Sequence, residues 1–540
     1  MTTEESSSRS TTATADDSGS SRSYPLGLAL ASAVVGIVVV LPLLWLFVAA
    51  GEVSLPQAFD LLTRDTTTSV FVNSAVMVTG VTLFSVLIGV PLAYLTVRTN
   101  LPGRRIWTIL VTLPLVIPSY IGAFVFTAAL GPRGQLQGLL EPYGVESLPA
   151  VEGLEGAVLI LTLYTYPYVY ITTRAGLKTV DMSLVDAART LRHTRVEAIR
   201  RVVLPQLRPA IAAGSLLTAL YALSDFGTPA IMRYPVFTTV IQSETNTGNL
   251  SLAAILSIQL IAVTVFILFV ESRLRSAEKF TTGRQGGRAT LARLGHWKWP
   301  ALAFCGSVVL VALVVPVVVL VGWLLGGPNE NWRLPFEFQY LWNSVTLSVA
   351  AAAVATLAGL PVAYLSAKYD TTPGELFERL SYVGYAAPGI VVGFAFVYLT
   401  TRTLPSFYQT LPVLVFAYVV RFLPQSVGST RASFLQVNPS LPEAARTLGR
   451  SSVGAFRAIT LPLAAPGLLG GAALVFLTTM KELPATLLLQ PSGYKTIVTH
   501  IWQAHKNQAF YDAAFPALIL LGVSAVSIFV ILSQEGYDVK

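Results

Sequence analysis

The chain has 540 residues, 53% of them hydrophobic and only 12% charged, with a mean hydropathy of +0.64. That balance excludes an ordinary soluble domain and defines an integral membrane protein. A formal net charge of +8 would suit a nucleic-acid binder, but the basic residues fall in loops between apolar stretches, which excludes that class.

Residues 1–24 are rich in Ser, Thr and Asp and have no apolar run, so they are expected to be a disordered polar cytoplasmic tail, not a signal peptide. Apolar segments near the ~20 residues that a span requires then follow. They are expected near 26–50, 70–97, 106–130, 155–173, 207–230 and 250–271. A second set is expected near 300–325, 342–366, 379–402, 411–430, 463–487 and 512–533. The expected fold is all-α, with about twelve transmembrane helices as two homologous six-helix domains. The expected boundaries are 25–272 for the first domain, 273–298 for a basic cytoplasmic linker, 299–534 for the second domain and 535–540 for a cytoplasmic tail.

The two halves repeat. Asn73-Ser74 and Gly89-Val90-Pro91-Leu92-Ala93-Tyr94-Leu95 recur 270 residues later as Asn343-Ser344 and Gly359-Leu360-Pro361-Val362-Ala363-Tyr364-Leu365. Pro118 recurs as Pro388 at that offset, whereas Pro167 and Arg174 recur as Pro424 and Arg431 at 257. The loop between the third and fourth spans is therefore 13 residues longer in the first half. Six spans per repeat is an even number, so both halves face the same way, with a pseudo-two-fold axis along the membrane normal and a central pathway.

Loop charges set the expected orientation. With both termini in the cytoplasm, the inner segments hold Arg98, Arg104, Arg105, Arg174, Lys178 and Arg189, among others, and the linker adds Arg273 through Lys298. The long outer loop of the first half is acidic, with Glu141, Glu146, Glu152 and Glu155. That is the positive-inside pattern of a multi-pass cell-membrane protein. The single cysteine, Cys305, excludes an intrachain disulfide. The four histidines have no metal-site spacing, and a bland solvated role is expected for each. The sequence has no G-x-x-x-x-G-K-[ST] phosphate loop, so any ATP hydrolysis belongs to another chain.

Between the fourth and fifth spans of each half lies one repeated loop. It reads Asp186-Ala187-Ala188-Arg189-Thr190-Leu191-Arg192 and, after eleven residues, Leu204-Pro205. The second copy reads Glu443-Ala444-Ala445-Arg446-Thr447-Leu448-Gly449 and, again after eleven residues, Leu461-Pro462. A carboxylate in the first turn suits the helix dipole, and the Ala-Ala pair keeps one face small for a close partner. Gly449 can take the positive φ of a sharp reversal. Pro205 and Pro462 suit the first turn of a new helix. A small-faced, charged, duplicated helix is built to dock into two equivalent sockets.

These residues resemble the "EAA" loop of ABC importer permeases, the inner-membrane components of binding-protein-dependent transport. The resemblance implies that 182–209 and 439–466 are coupling loops seated in a cytoplasmic ATPase homodimer, which uses ATP with Mg while this chain binds no cofactor and catalyses nothing. One departure is Arg192 at the usual glycine position, where a left-handed backbone would cost roughly 1–2 kcal/mol.

Charged residues within the spans are candidates for the cargo path. Asp225 and Glu482 stand 257 residues apart, each twenty residues beyond its loop proline, or roughly 30 Å along a helix. Lys481 adjoins one of them, and Arg421 lies near the middle of the tenth span. Against a pathway role stands a static one. Both carboxylates precede a proline and can mark helix ends, Lys481 can snorkel, and Arg421 can simply neutralise Glu482. Tyr164, Tyr166 and Tyr168 are expected to pack.

The fused halves and the run Lys481-Glu482-Leu483-Pro484-Ala485-Thr486-Leu487-Leu488-Leu489 resemble the iron(III)-type permeases. That resemblance implies an extracytoplasmic substrate-binding protein, alternating access and iron(III) as cargo, compatible with carboxylate oxygens as ligands of a hard cation. A thiamine permease is the alternative within the class. The rival class is an ion-gradient-driven secondary transporter, against which the duplicated docking loop argues.

Overall fold

The computed structural model describes residues 25–131, 137, 141–144, 150–180, 194, 197, 199–278, 291–326, 334–369 and 372–534. The described chain is helical, and its only β-type pairing is a single bridge, Thr99 to Ala292. In the first half the helices are α1 (Leu26–Gly51), α2 (Leu55–Thr63), α3 (Asp65–Arg98), α4 (Arg104–Thr112), α5 (Ser119–Leu130) and α6 (Gly153–Thr179). They continue as α7 (Leu204–Ser224), α8 (Gly227–Ile231), α9 (Phe237–Thr247) and α10 (Leu250–Glu278). The second half opens with α11 (Gly295–Gly326). It continues as α12 (Phe338–Lys368), α13 (Thr372–Ala386), α14 (Gly389–Thr403), α15 (Leu411–Gln436) and α16 (Ser440–Thr447). The last four are α17 (Leu461–Met480), α18 (Pro484–Leu489), α19 (Ile497–Lys506) and α20 (Phe510–Gln534).

Among the described residues nine helices are long and apolar enough to cross a bilayer unbroken. The expected third span of each half is not such a helix. The chain bends by 89° between Val116 and Ser119 and by 99° between Ala386 and Gly389. The cause is local: Pro118 and Pro388 lack an N–H and force the preceding residue into extended backbone. Ile117 accordingly has φ −78° and ψ 118°. The fifth spans also differ from expectation, ending at Ser224 and Met480 with a short helix beyond each break. The last span is α20 itself, Phe510–Gln534, close to the expected 512–533.

Each half is built on a three-helix centre, α3, α6 and α7 in the first and α12, α15 and α17 in the second. The flanking first spans cross over. α1 packs on α12, α13 and α14, while α11 packs on α4 and α5. One buried core therefore joins Phe124 and Tyr166 to Cys305 and Trp323, and the other joins Val39 and Leu46 to Phe394 and Tyr418. The two domains expected from sequence are continuous in the chain but interlocked in space.

The repeated Asn-Ser pair has a structural reason. Asn73 Nδ2 donates to the Pro235 carbonyl at 3.0 Å, and Asn343 Nδ2 to the Lys495 carbonyl at 2.8 Å. Ser74 Oγ accepts from the Phe237 N–H at 3.1 Å, and Ser344 Oγ from the Ile497 N–H at 2.8 Å. The pair thus pins the start of α9 to α3, and of α19 to α12. The linker is tied down too: Ala292 N–H donates to the Arg98 carbonyl at 2.8 Å and Asn100 N–H to the Ala292 carbonyl at 3.0 Å.

Two expectations are corrected here. Pro205 and Pro462 stand in the first turn of α7 and α17, as expected, but neither helix starts from a loop. Each is preceded by a π turn, Ile199–Val203 or Phe456–Thr460, in continuous helix. A widened turn ahead of a proline relieves the ring's clash with the carbonyl four residues back. His500 is not solvated but fully buried, 5.1 Å from the Tyr340 ring and with Nε2 3.3 Å from the Asp512 carbonyl.

Because Asn343 is buried, Asn343→Ala leaves the Lys495 carbonyl unpaired, and thermal or denaturant unfolding in detergent should show a loss of about 1–3 kcal/mol. An unchanged midpoint would mean the pin holds nothing.

Candidate functional site

Two regions hold the residues singled out in the sequence. The first is the repeated loop. In its first copy Asp186, Ala187, Ala188 and Arg192 lie outside the described residues. Leu204 and Pro205 are exposed at the entry to α7. The second copy is described throughout. Asn438 Oδ1 accepts from the Ser440 N–H at 3.0 Å, Glu443 stands in the first turn of α16, and the helix is closed at Gly449. Gly449 has φ +90°, its N–H donates to the Arg446 carbonyl at 3.0 Å, and the Arg450 N–H donates to the Ala445 carbonyl at 3.1 Å. That pair of bonds is the Schellman closure, which places glycine in the left-handed region.

Of the Ala-Ala pair only Ala444 faces outward, because Ala445 is buried. The outward surface is instead made of Glu443, Ala444, Arg446 and the apolar Leu441 and Leu448, the last 85% exposed. Beneath the helix, the Tyr364 ring of the repeated α12 motif lies 5.3 Å from Phe434 and 5.0 Å from Phe456. Both copies restart the same way. Thr194 and Glu197 form a reciprocal cap at 3.0 and 3.3 Å, and Ser451 Oγ accepts from the Gly454 N–H at 3.1 Å.

The second region is the midline, at the far ends of α7 and α17. Asp225 and Glu482 sit in the breaks, not inside straight spans. Asp225 Oδ1 accepts from the Thr228 N–H at 2.8 Å, and Glu482 Oε1 from the Ala485 N–H at 3.1 Å. Each carboxylate thereby ends one helix and caps the next, which accounts for their identical placement in the two copies. Arg421 pairs with Glu482, with side-chain exposures of only 19% and 5%. Lys481 is half-buried, and its Nζ lies 3.5 Å from the Val116 carbonyl in the other half.

The broken third spans bring their first residues to the same place. The Ser119 hydroxyl donates to Asp225 Oδ2, and the Tyr221 hydroxyl donates to Ser119 Oγ at 3.3 Å. Gly389, the counterpart of Ser119, carries no side chain. A Cβ there would collide with the Arg421 guanidinium and stand 2.6 Å from Glu482 Oε1. The halves touch where a Cβ on Gly227 would collide with Tyr120 and stand 3.5 Å from Leu483. Tyr164 and Tyr166 are buried, and the Tyr166 hydroxyl donates to the Val111 carbonyl at 2.7 Å, as expected of packing groups. Sequence reading missed Ser119, Tyr120 and Tyr221. The signal available was Pro118, which places Ser119 and Tyr120 at the bend. Among the described residues, no group of three His, Cys, Asp or Glu could hold a metal ion.

A duplicated all-α bundle of long apolar helices, with sharply bent helix pairs meeting at a charged midline and a surface helix at its other end, defines a multi-pass membrane protein. Residues 85–326 and 355–535 match the binding-protein-dependent transport system inner membrane component family, and the chain belongs to it. It is an ABC importer permease, a member of a non-catalytic membrane component family. It is 31% identical over 517 residues to the Fe(3+)-transport system permease protein FbpB 2 of Haemophilus influenzae, covering 94% of this chain and 98% of that one. Identity is 24% with the ferric transport system permease protein FbpB of Actinobacillus pleuropneumoniae, covering 89% and 73%. It is 23% with the thiamine transport system permease protein ThiP of Escherichia coli, covering 85% and 87%.

Arg421→Met strands a buried carboxylate and should cost about 3–5 kcal/mol in a detergent melt, whereas Arg421→Met with Glu482→Gln should recover most of the loss. Equal melts for the single and double variants would show that the pair is not coupled.

Proposed function

We propose that the chain is the permease of an iron(III) importer, driven by a separate cytoplasmic ATPase homodimer and fed by an extracytoplasmic binding protein. What chiefly supports the cargo is the 31% identity to a named Fe(3+) permease over nearly the full length of both chains. In this reading both termini are cytoplasmic, and 182–209 and 439–466 are the coupling loops of domains 25–272 and 299–534. Asp186, Ala187, Ala188, Arg192, Leu204 and Pro205 form one docking element. Glu443, Ala444, Ala445, Gly449, Leu461 and Pro462 form the other, with Ala445 acting from beneath by holding α16 on its bundle.

The mechanical logic follows from the packing. ATP binding draws the two ATPase subunits together and moves the docked helices. Each movement passes through a rigid capped turn into α7 or α17, whose far end carries Asp225 or Glu482. Because the first spans are exchanged, neither half can move without the other. Asp225, Glu482, Lys481 and Arg421 line the cargo path.

The test is uptake of radiolabelled Fe(III) by vesicles holding this chain and its co-purifying ATPase, with thiamine as competitor. Iron accumulation that needs both ATP and the binding protein is expected. Thiamine uptake would change the cargo, and uptake indifferent to ATP would overturn the reading. In the same vesicles, Glu443→Trp with Gly449→Val should cut uptake tenfold or more while ATP hydrolysis continues. Wild-type uptake in that variant would contradict the docking role.

A further inference from the structure

The halves are copies, yet their midline chemistry is one-sided. Around Asp225 the first half gathers oxygen atoms. The Ser119 hydroxyl bonds the carboxylate, the Tyr221 hydroxyl stands 3.3 Å from Ser119 Oγ, and the Tyr168 ring packs 5.9 Å from that of Tyr221. At the corresponding positions of the second half stand Gly389, Thr478 and Gln425, and Tyr120 is replaced by Ile390. There Thr478 hydrogen-bonds Gln425 at 3.0 Å, and Glu482 is taken up by Arg421, whose counterpart in the first half is Tyr164.

Tyr120 carries the inference furthest. It is 6% exposed, and its hydroxyl has no hydrogen-bond partner among the described residues. It lies within electrostatic reach of Tyr221, Glu482 and Asp225 at once. A buried hydroxyl left unpaired is unfavourable. This side chain packs against Gly227, two residues beyond Asp225, where Leu483 beside Glu482 also reaches, so the hydroxyl is free to serve a ligand held between the two carboxylates. The donor set is all oxygen, both carboxylate and phenol, which is the preference of a hard, highly charged cation and not of a soft one.

We propose that Asp225, Tyr221 and Tyr120 of the first half, with Glu482 reaching across from the second, form a transit site for Fe(III). Ser119 positions Asp225 and Tyr221 through its shared hydroxyl. Arg421 holds Glu482 at the edge of the site and balances its charge. The site sits on one side of the axis, so a single ion passes per cycle through the first half's oxygen cluster. This inference rests on the iron reading above.

The experiment uses the full chain with its co-purifying ATPase in lipid nanodiscs, titrated with Fe(III) nitrilotriacetate. Two quantities are read, retained radiolabelled iron and the visible charge-transfer band that a phenolate ligand gives Fe(III). Saturable retention with a band is expected. Tyr221→Phe and Tyr120→Phe should each remove half of the band or more, and the double variant all of it. Asp225→Asn should weaken retention tenfold or more. Thr478→Val, the mirror of the Tyr221 change, should leave both readouts as in the wild type, and co-purified ATPase reports assembly for every variant. An unchanged band in the tyrosine double variant, or an equal loss in Thr478→Val, would overturn the site. Wild-type vesicles that take up iron without ever showing a band would also overturn it while leaving the iron reading intact. Vesicles that take up no iron would overturn both.

Discussion

Interrupting a helix inside a membrane frees backbone groups that no water is there to satisfy. Among the described residues four helices are broken near the midline, and the chain's own residues serve each break. At two of them, proline supplies the bend, so the missing N–H costs nothing further. At the other two, a carboxylate ends one helix and accepts an N–H of the next, Thr228 for Asp225 and Ala485 for Glu482. The midline charges are thus required by the backbone before any cargo is considered. Those same breaks bring Ser119 to Asp225 and Tyr120 to Gly227, while Arg421 reaches Glu482 from the unbroken α15.

Hydrophobic burial cannot hold two bundles together within lipid, because lipid tails are as apolar as leucine. Here the halves are joined by exchange of their first spans, by α1 on α12 to α14 and by α11 on α4 and α5. The closeness that packing then needs is visible at Gly227 against Tyr120 and at Gly389 against Arg421. Beyond the Gly449 reversal that closes α16, the chain restarts at Ser451 and runs as one helix from Ser452 to Met480, through the π turn at Phe456–Thr460, to the break that holds Glu482.

Much of this was legible in the sequence because the chain was written twice. The offsets of 257 and 270 paired Asp225 with Glu482 and Asn73 with Asn343, and Gly449 marked its own reversal. What was not legible depended on direction in space. Hydropathy locates apolar residues but does not register a bend of 89°, so the third spans read as straight. Nor does it say which bundle a span joins, so the exchange of α1 and α11 was invisible. Ala445 looked equivalent to Ala444 because only the rotation of α16 separates them. Tyr221 was not singled out because its partner, Ser119, comes from a helix 102 residues away in the chain.

The central claim is that the repeated loop is where ATP-driven motion enters. The most direct measurement is cysteine crosslinking from the outward face of α16. Ala444→Cys would be placed in a Cys305→Ser background and assembled with the co-purifying ATPase. A crosslink to the ATPase whose yield changes severalfold between nucleotide-free and ATP-bound complexes is the expected result. No crosslink from Ala444→Cys in a complex that still imports its cargo would contradict the docking of this helix, and with it the route of coupling.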